Sequence, residues 1–112
     1  MKIVFTTQGP TWDDQMDPRF GRTQFFFVYE EESDAIETFD NSAIQNAAHG
    51  AGPLTAQKLA EFGAGVLITG NGPGGNAGRV LETTGIEIYV GAGDFTVRQA
   101  YEAYKAGELK KY

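Results

Sequence analysis

Apolar and polar positions along this chain fall into short blocks whose period changes from one block to the next. Lys2 to Thr7 is a compact, mostly apolar run with β-branched residues at its centre and end, the pattern of a buried strand. Gln24 to Glu30 is strongly strand-like, and Ala35 to Asp40 alternates like a strand with one solvated face. The acidic stretch Glu31-Glu32-Ser33-Asp34 between them predicts a tight turn, and hence an antiparallel hairpin. Helical spacing then takes over: Ala56, Leu59, Ala60 and Gly63 fall at i, i+3, i+4 and i+7, Leu54 and Phe62 add apolar area beside that stripe, Pro53 suits a first turn and Gly63 a stop.

The apolar run around Val66-Leu67-Ile68 predicts a strand over 65–69. A second helix follows, with Ala77, Val80, Leu81 and Thr84 on one face and Gly85 as its stop. Ile86 to Val90 predicts another strand. Thr96 with Gln99 fits a capping box, Val97, Ala100, Tyr101 and Tyr104 form the apolar face of a third helix, and Gly107 closes it. The tail from Glu108 to Tyr112 is expected to be frayed or weakly packed.

The order is a strand, a hairpin, then α-β-α-β-α, which predicts one α/β domain over residues 1–112: a five-stranded mixed sheet with about three helices making right-handed crossovers. Tracing direction through that order puts loops 8–22, 41–52, 70–76 and 91–96 at one edge of the sheet, the carboxyl edge of the parallel strands, where open α/β folds bind ligands.

That placement sorts the unusual residues. Eleven of the 15 glycines lie in those loops or in the helix turn directly after them, among them Gly21, Gly50, Gly70, Gly72, Gly74, Gly75, Gly91 and Gly93. Thr69 to Arg79 is the densest stretch and leads from a strand into a helix, the layout either of an anion-binding loop or of a glycine-rich turn without a ligand. All four arginines, Arg19, Arg22, Arg79 and Arg98, belong to the same edge and the five lysines lie elsewhere. Guanidinium forks suit oxyanions, and they equally suit pairing with Asp13, Asp14, Asp17 or Asp94 in the same loops. Trp12, Phe20 and Phe95 either wall a pocket or pin the loops. Met16 is either a soft sulfur donor or packing. His49, the one histidine, is either a loop hydrogen-bonding residue or a metal ligand.

Composition narrows the chemistry. There is no cysteine, which removes disulfides, thiolate zinc sites, cysteine-held iron–sulfur clusters and cysteine nucleophiles. A formal charge of -6 argues against nucleic acid, and no apolar run approaches the length of a membrane span, so a cytoplasmic protein is expected. Gly70-x-Gly72-x-x-Gly75 matches a dinucleotide fingerprint in letters, but Pro73 interrupts the turn and Glu87 falls in the middle of a strand. There is no Walker A lysine and no serine elbow, and the spacing of Asp13, Asp14 and Asp17 lacks the glycine and closing Glu of a calcium loop.

Asp17-Pro18-Arg19-Phe20-Gly21-Arg22 before an aromatic strand, Asn41, His49-Gly50-Ala51-Gly52, Gly74-Gly75-Asn76-Ala77 with Leu81 and Gly85-Ile86, and a final Gly107-Glu108-Leu109 form an ordered set. Together they resemble the dinitrogenase iron-molybdenum cofactor biosynthesis family, with its NifX-like and NafY-like proteins, the carboxyl-terminal part of NifB and the small orange proteins. The resemblance implies a ribonuclease-H-like fold with strand order 3-2-1-4-5. It also implies non-enzymatic binding or trafficking of a metal–sulfur cluster, either an iron-molybdenum cofactor precursor or a molybdenum–copper sulfide. Two positions depart from it: Arg19 stands where cofactor-carrying members commonly have histidine, and Gly75 where a proline is usual.

With anionic cargo, backbone N–H groups and arginines can hold a cluster without cysteine ligands. The expected site is Arg19, Phe20, Gly21, Arg22, His49, Gly50, Gly70, Asn71, Gly72, Gly74, Gly75, Asn76, Gly91 and Gly93, with His49 the candidate metal ligand. The expected partners are the cluster or another small anion and a cofactor-assembly protein. The alternatives are a module docking a ParA-like ATPase and a small phosphate- or nucleotide-binding protein.

Overall fold

The computed structural model describes residues 1–46, 51–73 and 75–112. In chain order the elements are β1 (Lys2–Thr7), β2 (Phe25–Glu30), β3 (Ala35–Asp40), α1 (Ser42–Gln45), α2 (Ala51–Phe62), β4 (Val66–Ile68), α3 (Gly75–Thr84), β5 (Glu87–Val90), α4 (Val97–Lys105) and β6 (Lys110–Lys111). The sheet runs β3-β2-β1-β4-β5-β6. β1, β4 and β5 are mutually parallel, while the β1–β2, β2–β3 and β5–β6 pairs are antiparallel. The α/β class and the order 3-2-1-4-5 are as expected, with one strand more.

The additional strand corrects the expectation for the tail. Gly107 takes φ +74°, with its N–H on the Tyr104 carbonyl and that of Glu108 on the Ala103 carbonyl, a Schellman closure that turns the chain back along β5. Lys110 and Lys111 then pair with Val90 and Tyr89, and the Tyr112 N–H donates to the Ile88 carbonyl. Gly63, at φ +73°, closes α2 in the same way. The capping box at Thr96 and Gln99 is formed in both directions.

Alternation along the central strands separates two cores. Val4, Leu67 and Ile88 face one side with Phe26 and Val28, covered by Ala56 and Leu59 of α2 and Ala77 and Leu81 of α3. Ile3, Phe5, Val66, Ile68 and Phe27 face the other, covered by Val97 and Ala100 of α4 and by Met16. Two layers of helix on one sheet explain why the central strands read as continuous apolar runs. β3 departs from its expected half-burial: five of its six residues are exposed and Phe39 alone is half-buried, stacked on Phe62 of α2 at 4.4 Å. It is an edge strand, and its Ile36 stays 44% exposed.

Two of the expected loops contain more structure than their composition shows. Segment 41–52 includes the one-turn α1 and the start of α2, with Pro53 the third residue of that helix. Segment 8–22 is held to the rest of the molecule by backbone bonds: Asp17 N–H to the Thr6 carbonyl, Met16 N–H to Phe95, Val97 N–H to Asp14 and Arg98 N–H to Trp12. Met16 is fully buried, so its sulfur is packing.

Candidate functional site

The end of β1 and the residue just past β4 carry buried threonines that fasten the loops above them. The Thr6 hydroxyl donates to the Asp17 carbonyl at 2.9 Å and lies 2.7 Å from the Thr69 hydroxyl, so Thr69 is the donor of that pair. Thr23 bridges to the Thr7 and Phe25 carbonyls, and Thr55 of α2 reaches the Gly21 carbonyl at 3.3 Å. Asn41 donates its side-chain amide to the Gly21 and Thr23 carbonyls, tying segment 41–52 to segment 8–22. Among the described residues every buried side-chain nitrogen and oxygen finds a partner, as an interior demands.

Asp17 is the anchor of the corner that follows. Its carboxylate, 1% exposed, accepts the Arg19 backbone N–H and Nε–H at 3.0 Å each on one oxygen, and the Arg19 Nη2–H at 2.9 Å and the Gln24 N–H at 3.1 Å on the other. Of the five guanidinium N–H groups, this fork uses two and leaves three on a side chain that is 48% exposed. The bond to Asp17 also raises the Arg19 pKa, so the group is a permanent cation.

Beside this corner the Asn71 N–H donates to the Pro18 carbonyl at 2.7 Å, and the Gly91 N–H to the Gly70 carbonyl at 2.9 Å. Gly70 and Gly93 meet Pro18 so closely that a Cβ on Gly70 would lie 2.5 Å from the Pro18 Cα and 3.0 Å from the Gly93 Cα. Close approach of three chain segments is what requires glycine at 70.

The consequence is an open cleft of about 420 Å³ lined by Arg19, Phe20, Gly21, Arg22, Gly52, Asn71 and Gly72. Six of these belong to the expected site; Gly52, in the first turn of α2, stands among the motif residues but outside that expected site. Phe20 is 5% exposed, packed into the α2/α3 core while flooring the cleft. Gly70, Gly91 and Gly93 support the cleft from below through the contacts just described. Gly75 begins α3 and Asn76 follows it. His49, Gly50 and Gly74 lie outside the described residues.

The arginines do not all gather here. Arg98 sits on the α4 side, 3.5 Å from Asp13 and 5.8 Å above the Trp12 ring, and Arg79 is exposed on α3. Trp12 likewise belongs to the α4 core, against Phe5 and Phe27. Asp14 closes a turn by accepting the N–H and hydroxyl of Thr11. Residue order places a loop at an edge, but the face its side chains take is decided by packing. Asp17 and the threonines are the working residues that sequence reasoning undervalues; threonine closing two parallel strands, Thr7 on β1 and Thr69 just past β4, was the available signal.

A family model described as dinitrogenase iron-molybdenum cofactor matches residues 1–107, and the chain belongs to that family. The apo form of the orange protein from Desulfovibrio gigas is 40% identical, with a TM-score of 0.92 over 99% of this chain and 92% of that one. A putative NifB protein from Thermotoga is 31% identical, with a TM-score of 0.83 over 98% of this chain and 91% of that one. An uncharacterized protein of Methanocaldococcus jannaschii is 30% identical over the whole of this chain and 92% of its own length. These likenesses associate the chain with cofactor binding or biosynthesis. They do not touch the alternative of a ParA-like ATPase partner.

Proposed function

We propose that the chain binds and carries an anionic metal–sulfur cluster, with the cleft between Arg19–Arg22 and Asn71–Gly72 as its seat and no reaction catalysed on it. The observation that supports this is the cleft itself: two guanidinium-bearing residues, one locked by Asp17, and a glycine-lined wall beside the start of α3. The donor chemistry fits such cargo. The sequence has no thiolate to offer, and among the described residues no group of three or more His, Cys, Asp or Glu can hold a metal ion. Guanidinium and amide N–H groups remain, and these bind the sulfide surface of an anion by hydrogen bonds and charge.

The cargo is a molybdenum–copper sulfide or an iron-molybdenum cofactor precursor, held as one folded unit in the cytoplasm and exchanged with a cofactor-assembly protein. A seat without covalent ligands favours transfer over permanent retention. Among the described residues no helix is long and apolar enough to cross a membrane. The test is anaerobic reconstitution with tetrathiomolybdate plus copper and, separately, with an iron–sulfur precursor. Metal retained through desalting together with a charge-transfer absorption band supports the reading; no retained metal from either source defeats it.

A further inference from the structure

A second cleft, of about 430 Å³, opens on the α4 side of the sheet and is lined by Trp12, Tyr29, Asp34, Arg98, Tyr101 and Glu102. It lies on the opposite face of the sheet from Phe20 and the α2/α3 layer, so it is separate from the cluster seat. Its aromatic wall is tightly organised: the Trp12 ring stands 5.0 Å from Tyr29 and 5.7 Å from Tyr101, and Tyr29 stands 5.4 Å from Tyr101. Both phenols are committed, Tyr29 donating to Asp34 at 2.7 Å and Tyr101 to Glu31 at 2.7 Å. The rings are therefore fixed before anything binds.

The molecule already shows what this surface holds. Arg98 rests over Trp12 with Asp13 beside it, and Lys105 reaches Glu31 at 3.2 Å next to Tyr101. In each case a cation sits where a carboxylate adjoins an aromatic ring. Asp34 beside Tyr29 repeats that arrangement and Glu102 lines the same cleft; both are exposed, and among the described residues neither has a cationic partner. Ile36, directly opposite Tyr29 in the β2–β3 register and 44% exposed, extends the surface toward the free β3 edge. Aromatic anchors with an acidic rim and an adjoining aliphatic patch make a protein-binding composition, and a net charge of -6 attracts a cationic partner.

We propose that this cleft docks a lysine- or arginine-bearing segment of a partner protein, with one cationic side chain set between Asp34 and Glu102 against Tyr29 and Tyr101, and the segment's apolar residue covering Ile36. A small organic cation would fill the cleft yet leave Ile36 bare, which is why a segment is the better fit. Because the two clefts are on opposite faces, docking leaves the cluster seat open.

The test uses the full chain, ¹⁵N-labelled, titrated with acetyl-(Arg-Gly)₄-amide, with acetyl-(Glu-Gly)₄-amide and tetramethylammonium chloride as comparisons. The expected result is saturable shifts confined to residues 12, 29, 34, 36 and 98–102, with fluorescence of Trp12, the one tryptophan, following the same curve. The Asp34→Asn/Glu102→Gln variant should bind at least tenfold more weakly while melting at the wild-type temperature, since Asn tolerates the φ of +57° at position 34. Shifts spread evenly over other acids such as Glu61 and Glu82, or equal binding by the variant, would overturn the proposal. So would saturation by tetramethylammonium without binding of the arginine peptide, which would make the cleft a small-molecule site.

Discussion

Asp17 and Arg19 are joined by a two-point fork, Nε and Nη2 at 3.0 and 2.9 Å from the two carboxylate oxygens, with the acid buried and the base reaching solvent. The pair is lopsided in burial, so its two halves serve different ends. Asp17 fixes the corner by also accepting two backbone N–H groups, and Arg19 carries the remaining donors into the cleft.

Replacing Asp17 with Asn keeps the shape but turns an amide NH₂ toward N–H donors. Asp17→Asn should therefore lose about 2–3 kcal/mol of stability, the scale of a charge-assisted hydrogen bond lost in a buried setting. Arg19→Ala should cost less, because its side chain is half exposed, yet it should weaken anion binding more. Urea unfolding of both variants together with a tetrathiomolybdate titration checks the crossed order.

Glycine positions separate close approach from simple helix economics. Gly70→Ala drives a methyl against the Pro18 backbone and should destabilise by roughly 1–3 kcal/mol. Gly78 lies inside α3, and a Cβ there meets nothing within 4 Å, so Gly78→Ala should stabilise by about 0.5–1 kcal/mol. Thermal melts of the two variants, one shifted down and the other up, test both statements.

The pH dependence on the α4 side follows from Glu31. The Tyr101 hydroxyl, and after it Lys105, hold its carboxyl below the ordinary value of 4.5. A folded pKa below the unfolded one gives stability that is complete above pH 4.5 and is lost as pH falls through the lowered value. Glu31→Gln should be less stable than wild type at neutral pH, with the difference shrinking below that point. Tyr101, its pKa raised first by burial and then by Glu31, gives the opposite limb: its contribution is present below its ordinary value of 10 and disappears as pH climbs through the raised one. Melting curves across both limbs for wild type, Glu31→Gln and Tyr101→Phe decide this.

The last strand makes a structural prediction. Tyr112 joins β5 through its N–H and covers the glycine wall of the cleft, where its hydroxyl donates to the Pro73 carbonyl and a Cβ on Gly72 would collide with its ring. Ending the chain after Leu109 should raise hydrogen exchange along Glu87–Val90, with little change in β1, which lies two strands further in. Protection unchanged in β5 would contradict the pairing.

Local signals carried much of this in the sequence. The apolar runs, the Thr96 capping box and the glycine stops at 63, 85 and 107 each depend on near neighbours, and each appears where the pattern puts it. The Arg19–Arg22 and Asn71–Gly72 segments could be brought to one edge by strand direction alone. Other features could not be read because they depend on which face a side chain takes after folding: Arg98 and Trp12 went to the α4 side, Asp17 was drawn inward among solvated-looking acids, and two lysines became a strand only because Gly107 returned the chain to β5.

The central claim is that Arg19 and Arg22 help to hold an anionic cluster. The direct measurement is molybdenum and copper content, after desalting, of wild type and of Arg19→Ala/Arg22→Ala incubated with tetrathiomolybdate and copper, with thermal melts confirming that both are folded. The account predicts near-stoichiometric metal in wild type and at least a tenfold loss in the variant. Equal metal in the two proteins would contradict it.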